Sequence, residues 1–136
     1  IGRLKERNVQ LSVEENLPTI YGDENRMIQV FENLIDNAVK YMGDQQNPTV
    51  TIASLESKGY NHFVVKDNGS GMDENALKKL FAPFERFHNT IEGTGLGLYM
   101  IKQIVESHDG SITATSEGID KGATFTVLLP KVLENG

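Results

Sequence analysis

Apolar and polar positions along this chain follow two periods, and the switches between them divide it into elements. From Gln29 to Tyr41, QVFENLIDNAVKY, the period is helical. At ~100° per residue, Asn33, Asn37 and Lys40 fall on one side, while Phe31, Leu34, Ile35 and Ala38 lie largely on the others and suit a core. Tyr21-Gly22-Asp23 leads into this helix, with Asp23 as its N-cap, and the helix runs to about Met42. A second long helix is predicted over Leu96 to Ser107, apolar at Leu98, Ile101, Ile104 and Val105, and a short one over Glu74 to Leu80 behind Asp73. Alternation with period two predicts strands at Val9 to Val13, Thr49 to Leu55, His62 to Asp67, Ser111 to Ser116 and Thr124 to Leu129. Turns are expected at Ser57 to Asn61 and Gly118 to Gly122. Five strands, some joined by short turns, with helices between the pairs, predict an α+β fold: a two-layer α/β sandwich whose mixed five-stranded sheet is covered on one face by helices. This is not the regular βαβ alternation of a doubly wound sheet.

The 136 residues are expected to form a single domain, residues 1–136, with 1–8 as the remnant of an upstream helix and 131–136 as a tail. A formal charge of -6 argues against nucleic acid as a partner, since phosphate backbones call for a basic patch. The absence of Cys removes disulfides and thiolate metal sites. No apolar run approaches the ~20 residues of a membrane span, and no signal peptide is visible. The chain begins at Ile1, so the expectation is a cytoplasmic, monomeric piece of a longer parent that has room for membrane or sensor parts, with no membrane contact by the piece itself.

Four stretches carry candidate chemistry. Asn33, Asn37 and Lys40 form either a plain solvated helix face or a surface for a polyanion and its metal: an Asn oxygen is a hard ligand for Mg²⁺, and Lys is a point charge for phosphate. Asp67-Asn68-Gly69-Ser70-Gly71-Met72 follows a strand and reads as a turn, or as a loop whose carboxylate accepts a hydrogen bond from an exocyclic amine. Phe81 to Phe87 holds three Phe residues, which suit a small apolar anchor, and Arg86, which is placed to reach a terminal phosphate. Gly93-Thr94-Gly95-Leu96-Gly97-Leu98 opens the second long helix. It is either a hinge or an anion site made of backbone N–H groups at a helix N-terminus, and it is not the dinucleotide pattern. The histidines, His62, His88 and His108, lack metal-ligand spacing and read as structural or surface residues.

Taken in this order, the four stretches resemble the boxes of sensor histidine kinases. Asn33-x-x-x-Asn37-Ala38-x-Lys40-Tyr41 resembles the N box, Asp67-x-Gly69-x-Gly71 the first glycine box, Phe81-x-Pro83-Phe84 the F box, and Gly93 to Leu98 the second glycine box. Gly122-Ala123-Thr124-Phe125 is similar to the closing segment. The resemblance covers about Val9 to Pro130 and implies the ATP-binding catalytic domain, which transfers the γ-phosphoryl of Mg-ATP to a histidine on a dimerisation domain absent from this chain, with a response regulator downstream. It implies Asn33 as Mg²⁺ ligand with Asn37 beside it, Lys40 on the phosphates and Tyr41 packed on adenine. Asp67 would read the adenine amine, with Gly69 and Gly71 letting that loop close on the base. Arg86 would lie near the γ-phosphate, and about 86–94 would form a lid hinged at Gly93, Gly95 and Gly97, with Thr94, Leu96 and Leu98 beside the nucleotide. Thr124 is similar to a threonine beneath the adenine site. Asp109 stands where many members have Gly.

Two other functions remain. The gyrase and heat-shock chaperone ATPases share this pattern but carry a general-base Glu where this chain has Asn33. The neighbouring Glu32 is five residues from Asn37, ~140° around the helix, and should point away. The third possibility is a nucleotide-binding or interaction module without catalysis of its own. None of the three histidines sits in the family's phospho-acceptor context, so the chain is not expected to phosphorylate itself.

Overall fold

The computed structural model describes residues 8–82 and 97–131. Among them the chain runs β1 (Gln10–Val13), α1 (Glu24–Lys40), β2 (Thr49–Ser57), β3 (Tyr60–Asp67), α2 (Glu74–Lys79), α3 (Leu98–Ser107), β4 (Ser111–Thr115) and β5 (Ala123–Pro130). The sheet order is β1-β2-β3-β5-β4, with β1 parallel to β2 and every other pair antiparallel. This is the mixed sheet that the periodicity predicts.

Local chemistry starts the helices where expected. The Asp23 carboxylate accepts from Arg26 N at 3.1 Å, and Asp73 accepts from Ala76 N at 2.8 Å. The β2–β3 turn is shorter than predicted. Ser57 pairs directly with Tyr60, leaving Lys58-Gly59 as a two-residue loop, which Gly59 permits with φ +84°. Asp109 sits at φ +63°, a left-handed conformation that Asp tolerates.

Strand alternation decides which face is the core. Asn61, Phe63, Val65 and Asp67 of β3 are buried, as are Ala123, Phe125, Val127 and Leu129 of β5, and the two sets pair one to one. Against this face pack Met27, Val30, Leu34, Ala38 and Val39 of α1 and Ile101, Ile104 and Val105 of α3. Phe31 meets Phe63 edge to face at 5.9 Å between centroids. Each fully buried aliphatic side chain stabilises the fold by about 1.5–3 kcal/mol. β1 is an edge strand. Leu11 and Val13 share the helix-side face with their partners Val50 and Ile52 but remain 37% and 51% exposed.

Candidate functional site

The polar face of α1 is not simply wet. Asn33 is buried at 6% exposure, and its Nδ2 donates to Gln29 O one turn back at 2.7 Å. That bond fixes the carboxamide and leaves Oδ1 as the atom able to accept a hydrogen bond or ligate a cation. Asn37 and Lys40, on the same side, are half-buried, and Glu32 is exposed. Lys40 Nζ lies 5.7 Å from the centroid of the Tyr41 ring, and burial raises the Tyr41 phenol above its usual pKa. Among the described residues, no group of three or more His, Cys, Asp or Glu comes together to hold a metal. One carboxamide oxygen matches Mg²⁺ that arrives with phosphate oxygens, since that ion needs few protein ligands.

The Asp67 loop is tied to the end of this helix. Ser70 N and Oγ both donate to Tyr41 O, at 3.0 and 2.7 Å. Asp67 itself is buried at the end of β3. Its Oδ1 accepts from Gly69 N at 2.8 Å and from Ala123 N at 3.2 Å. Removal from water pushes its pKa up, and those two hydrogen bonds oppose the shift without reversing it. With Oδ1 engaged twice, Oδ2 is the oxygen left to read a ligand.

The glycines of this loop serve contacts within the protein. A Cβ on Gly69 would sit 2.9 Å from Tyr41 O, and one on Gly71 would collide with Gly118 O, with φ already at +70°. The loop is therefore held from both sides, by α1 and by the turn after β4.

Phe81 packs edge to face on Phe125, with centroids 6.2 Å apart, as the apolar-anchor reading of that segment requires. Gly97 is the N-cap of α3 in an extended conformation and, as glycine, brings no capping side chain of its own, and Leu98 packs against the core. Arg86, Gly93, Thr94, Gly95, Leu96, the lid expected over about 86–94 and, apart from residues 8 and 131, both expected terminal segments lie outside the described residues.

Thr124 does not join this site. It pairs with Lys66, and Ala123 pairs with Asp67; successive residues of a strand point to opposite faces, so Thr124 projects from the face away from the helices. The β5 residue that reaches Asp67 is Ala123, through its backbone N–H. The same alternation of Ala123, Phe125, Val127 and Leu129 was available in the sequence. Ser116, whose hydroxyl accepts from Met72 N at 3.0 Å, was also missed, because its partner is 44 positions away.

The sequence profile of the histidine kinase-, DNA gyrase B- and HSP90-like ATPases matches residues 22–133. The chain belongs to this family. Among curated relatives of this ATPase domain, the methanogenesis regulatory histidine kinase FilI of Methanothrix harundinacea is 35% identical over 95% of the chain. Sporulation kinase E of Bacillus subtilis is 40% identical over 90% of it. The chain spans only 15% and 16% of those two proteins' lengths. A solved structure of full-length ShkA in complex with AMPPNP superposes with a TM-score of 0.75 at 28% identity, covering 95% of this chain and 27% of that one. The resemblance to sensor histidine kinases is thus borne out, and so is the fold class.

Proposed function

We propose that this ATPase domain is the phosphoryl-donating part of a two-component sensor histidine kinase. It would bind Mg-ATP and transfer the γ-phosphoryl to a histidine on a dimerisation domain outside this chain, with a response regulator as the downstream partner. In this reading residues 1–136 form one catalytic domain that is a monomer alone. The observation that carries it is the Asp67 carboxylate, buried, pinned through one oxygen and tied by its loop to the helix that bears Asn33, Asn37 and Lys40.

Oδ2 of Asp67 would accept from the adenine amine and Tyr41 would pack on the base, with Gly69 and Gly71 holding the loop in place. Lys40 and the start of α3 at Gly97 and Leu98 would face the phosphates. Arg86 and Gly93 to Leu96 are assigned from the family resemblance alone. Asn33 Oδ1, with Asn37 beside it, would hold Mg²⁺ together with phosphate oxygens, and the ion would neutralise charge on the transferring group. Phosphoryl transfer asks the protein mainly for positioning and charge, and these residue types supply both. A hydrolytic role is disfavoured: Glu32 is exposed, and the carboxamide of Asn33 cannot take a proton from water.

Calorimetric titration of the chain with a non-hydrolysable ATP analogue, with and without Mg²⁺, tests the reading. One-to-one saturable binding that is lost in Asp67→Ala supports it, and no binding in either condition overturns it. Transfer of phosphate from ATP to a separately supplied histidine-bearing dimerisation domain then tests the kinase step.

A further inference from the structure

We infer that Ser116 is a positioning residue for base recognition, fixing the direction in which Asp67 presents its second oxygen. The inference rests on the nucleotide reading above. Ser116 lies just past β4, outside every box the sequence shows. A hydroxyl has one proton and two lone pairs, and here all three are used. The proton goes to Gly122 O at 2.6 Å, the nearer of two carbonyls, with Gly118 O at 3.3 Å. The lone pairs accept from Met72 N at 3.0 Å and Gly118 N at 3.2 Å. One oxygen therefore joins the start of the 116–122 turn, its end, and the loop that follows Asp67.

The decisive geometry is a single peptide group. Gly122 C=O and Ala123 N–H belong to the same planar unit, so fixing one end fixes the other. Ser116 Oγ holds the carbonyl end, and the N–H end donates to Asp67 Oδ1 at 3.2 Å. The carboxylate is thus oriented by a relay from hydroxyl to peptide to Oδ1, and the rotation of Oδ2 follows from it. Two further bonds hold the turn against the loop, Asp120 N to Ser70 O at 2.6 Å and Gly122 N to Gly69 O at 3.1 Å. Because these do not involve Ser116, removing its hydroxyl should free the peptide plane without detaching the turn.

The test compares non-hydrolysable ATP and GTP analogues by calorimetric titration on the full chain. Ser116→Ala should lower the ratio of ATP to GTP affinity about ten-fold, the scale of one misdirected hydrogen bond. Ser116→Thr, which keeps the hydroxyl, should restore it. In the Asp67→Asn background, where the same relay turns the –NH₂ toward the ligand, adding Ser116→Ala should move the ratio the opposite way, because both act on the same contact. A role in stability alone predicts equal losses for both nucleotides. That result, or an unchanged ratio, overturns the proposal while leaving nucleotide binding intact. Failure of the wild-type chain to bind ATP overturns the nucleotide reading and this proposal with it. Should Ser116→Ala not fold, Ser116→Cys carries the same test, since a thiol fills the space but bonds weakly. A lowered ratio supports the relay, and an unchanged one overturns it.

Discussion

Asp67 works against the stability of its own domain. Burial raises its pKa above the unfolded value, so its contribution to stability is fully present below the unfolded pKa and is lost as pH rises through the folded one. At neutral pH the ionised group is a net burden that a carboxamide would not carry. Asp67→Asn keeps an oxygen for Gly69 N and Ala123 N, and should therefore match or exceed the wild type in thermal unfolding at pH 7, with the difference shrinking toward acid. The same substitution turns an –NH₂ toward the ligand where Oδ2 stood. ATP binding should then weaken by about 1.5–3 kcal/mol, the range for a hydrogen bond to a charged group, with preference moving toward guanine and its O6 acceptor. Wild-type affinity should also fall as pH drops through the raised pKa, earlier than for an ordinary aspartate. A variant that is less stable and keeps its preference for adenine would contradict both roles. The residue types at this site were legible in the sequence, but which oxygen of Asp67 is engaged was not. That depends on Ala123 N, 56 positions away, which only sheet pairing brings near.

At the scale of elements, caps and alternation were legible because they depend on neighbours in sequence. Asp23 and Asp73 cap as expected, while the Thr124 assignment failed where resemblance was preferred over alternation. How the helices are joined could not be read at all. His108, at the end of α3, accepts from Asp23 N with Nε2 at 3.1 Å, and its Nδ1 lies 2.9 Å from Ile104 O. Nδ1 therefore carries the proton, and one neutral imidazole ties the N-cap of α1 to the last turn of α3. Gly22 leaves room for it, since a Cβ there would collide with His108 Cδ2. His108→Ala should cost about 1–2 kcal/mol in denaturant unfolding through the lost acceptor and packing. Gly22→Ala should also destabilise, by forcing the ring aside. Combined with His108→Ala it should add little, since the clash has then been removed. Simple additivity would show that the ring and the glycine do not meet.

At the scale of the molecule, the proposed function asks a chain of formal charge -6 to meet a polyanion through local features. Lys40, the start of α3 and a cation bound with the nucleotide would provide them, so net charge alone is a poor guide to ligand sign. The layer architecture was legible because five alternating stretches and two amphipathic ones admit few arrangements. The placement of β5 between β3 and β4 was not, because it depends on long-range pairing.

The sheet order also sets a timetable for folding. β2 and β3 are joined by two residues and can zip locally, whereas β1 adds to β2 in parallel only after the chain has passed through α1. Contacts that close long loops form late, and an edge strand with exposed side chains gains least when it docks. β1 should therefore be the last strand to arrive and the first to leave. Amide exchange by mass spectrometry or NMR should find residues 10–13 the least protected strand amides, opening well below the global unfolding free energy. Protection of β1 equal to that of β3 would show instead that the sheet opens as a single unit.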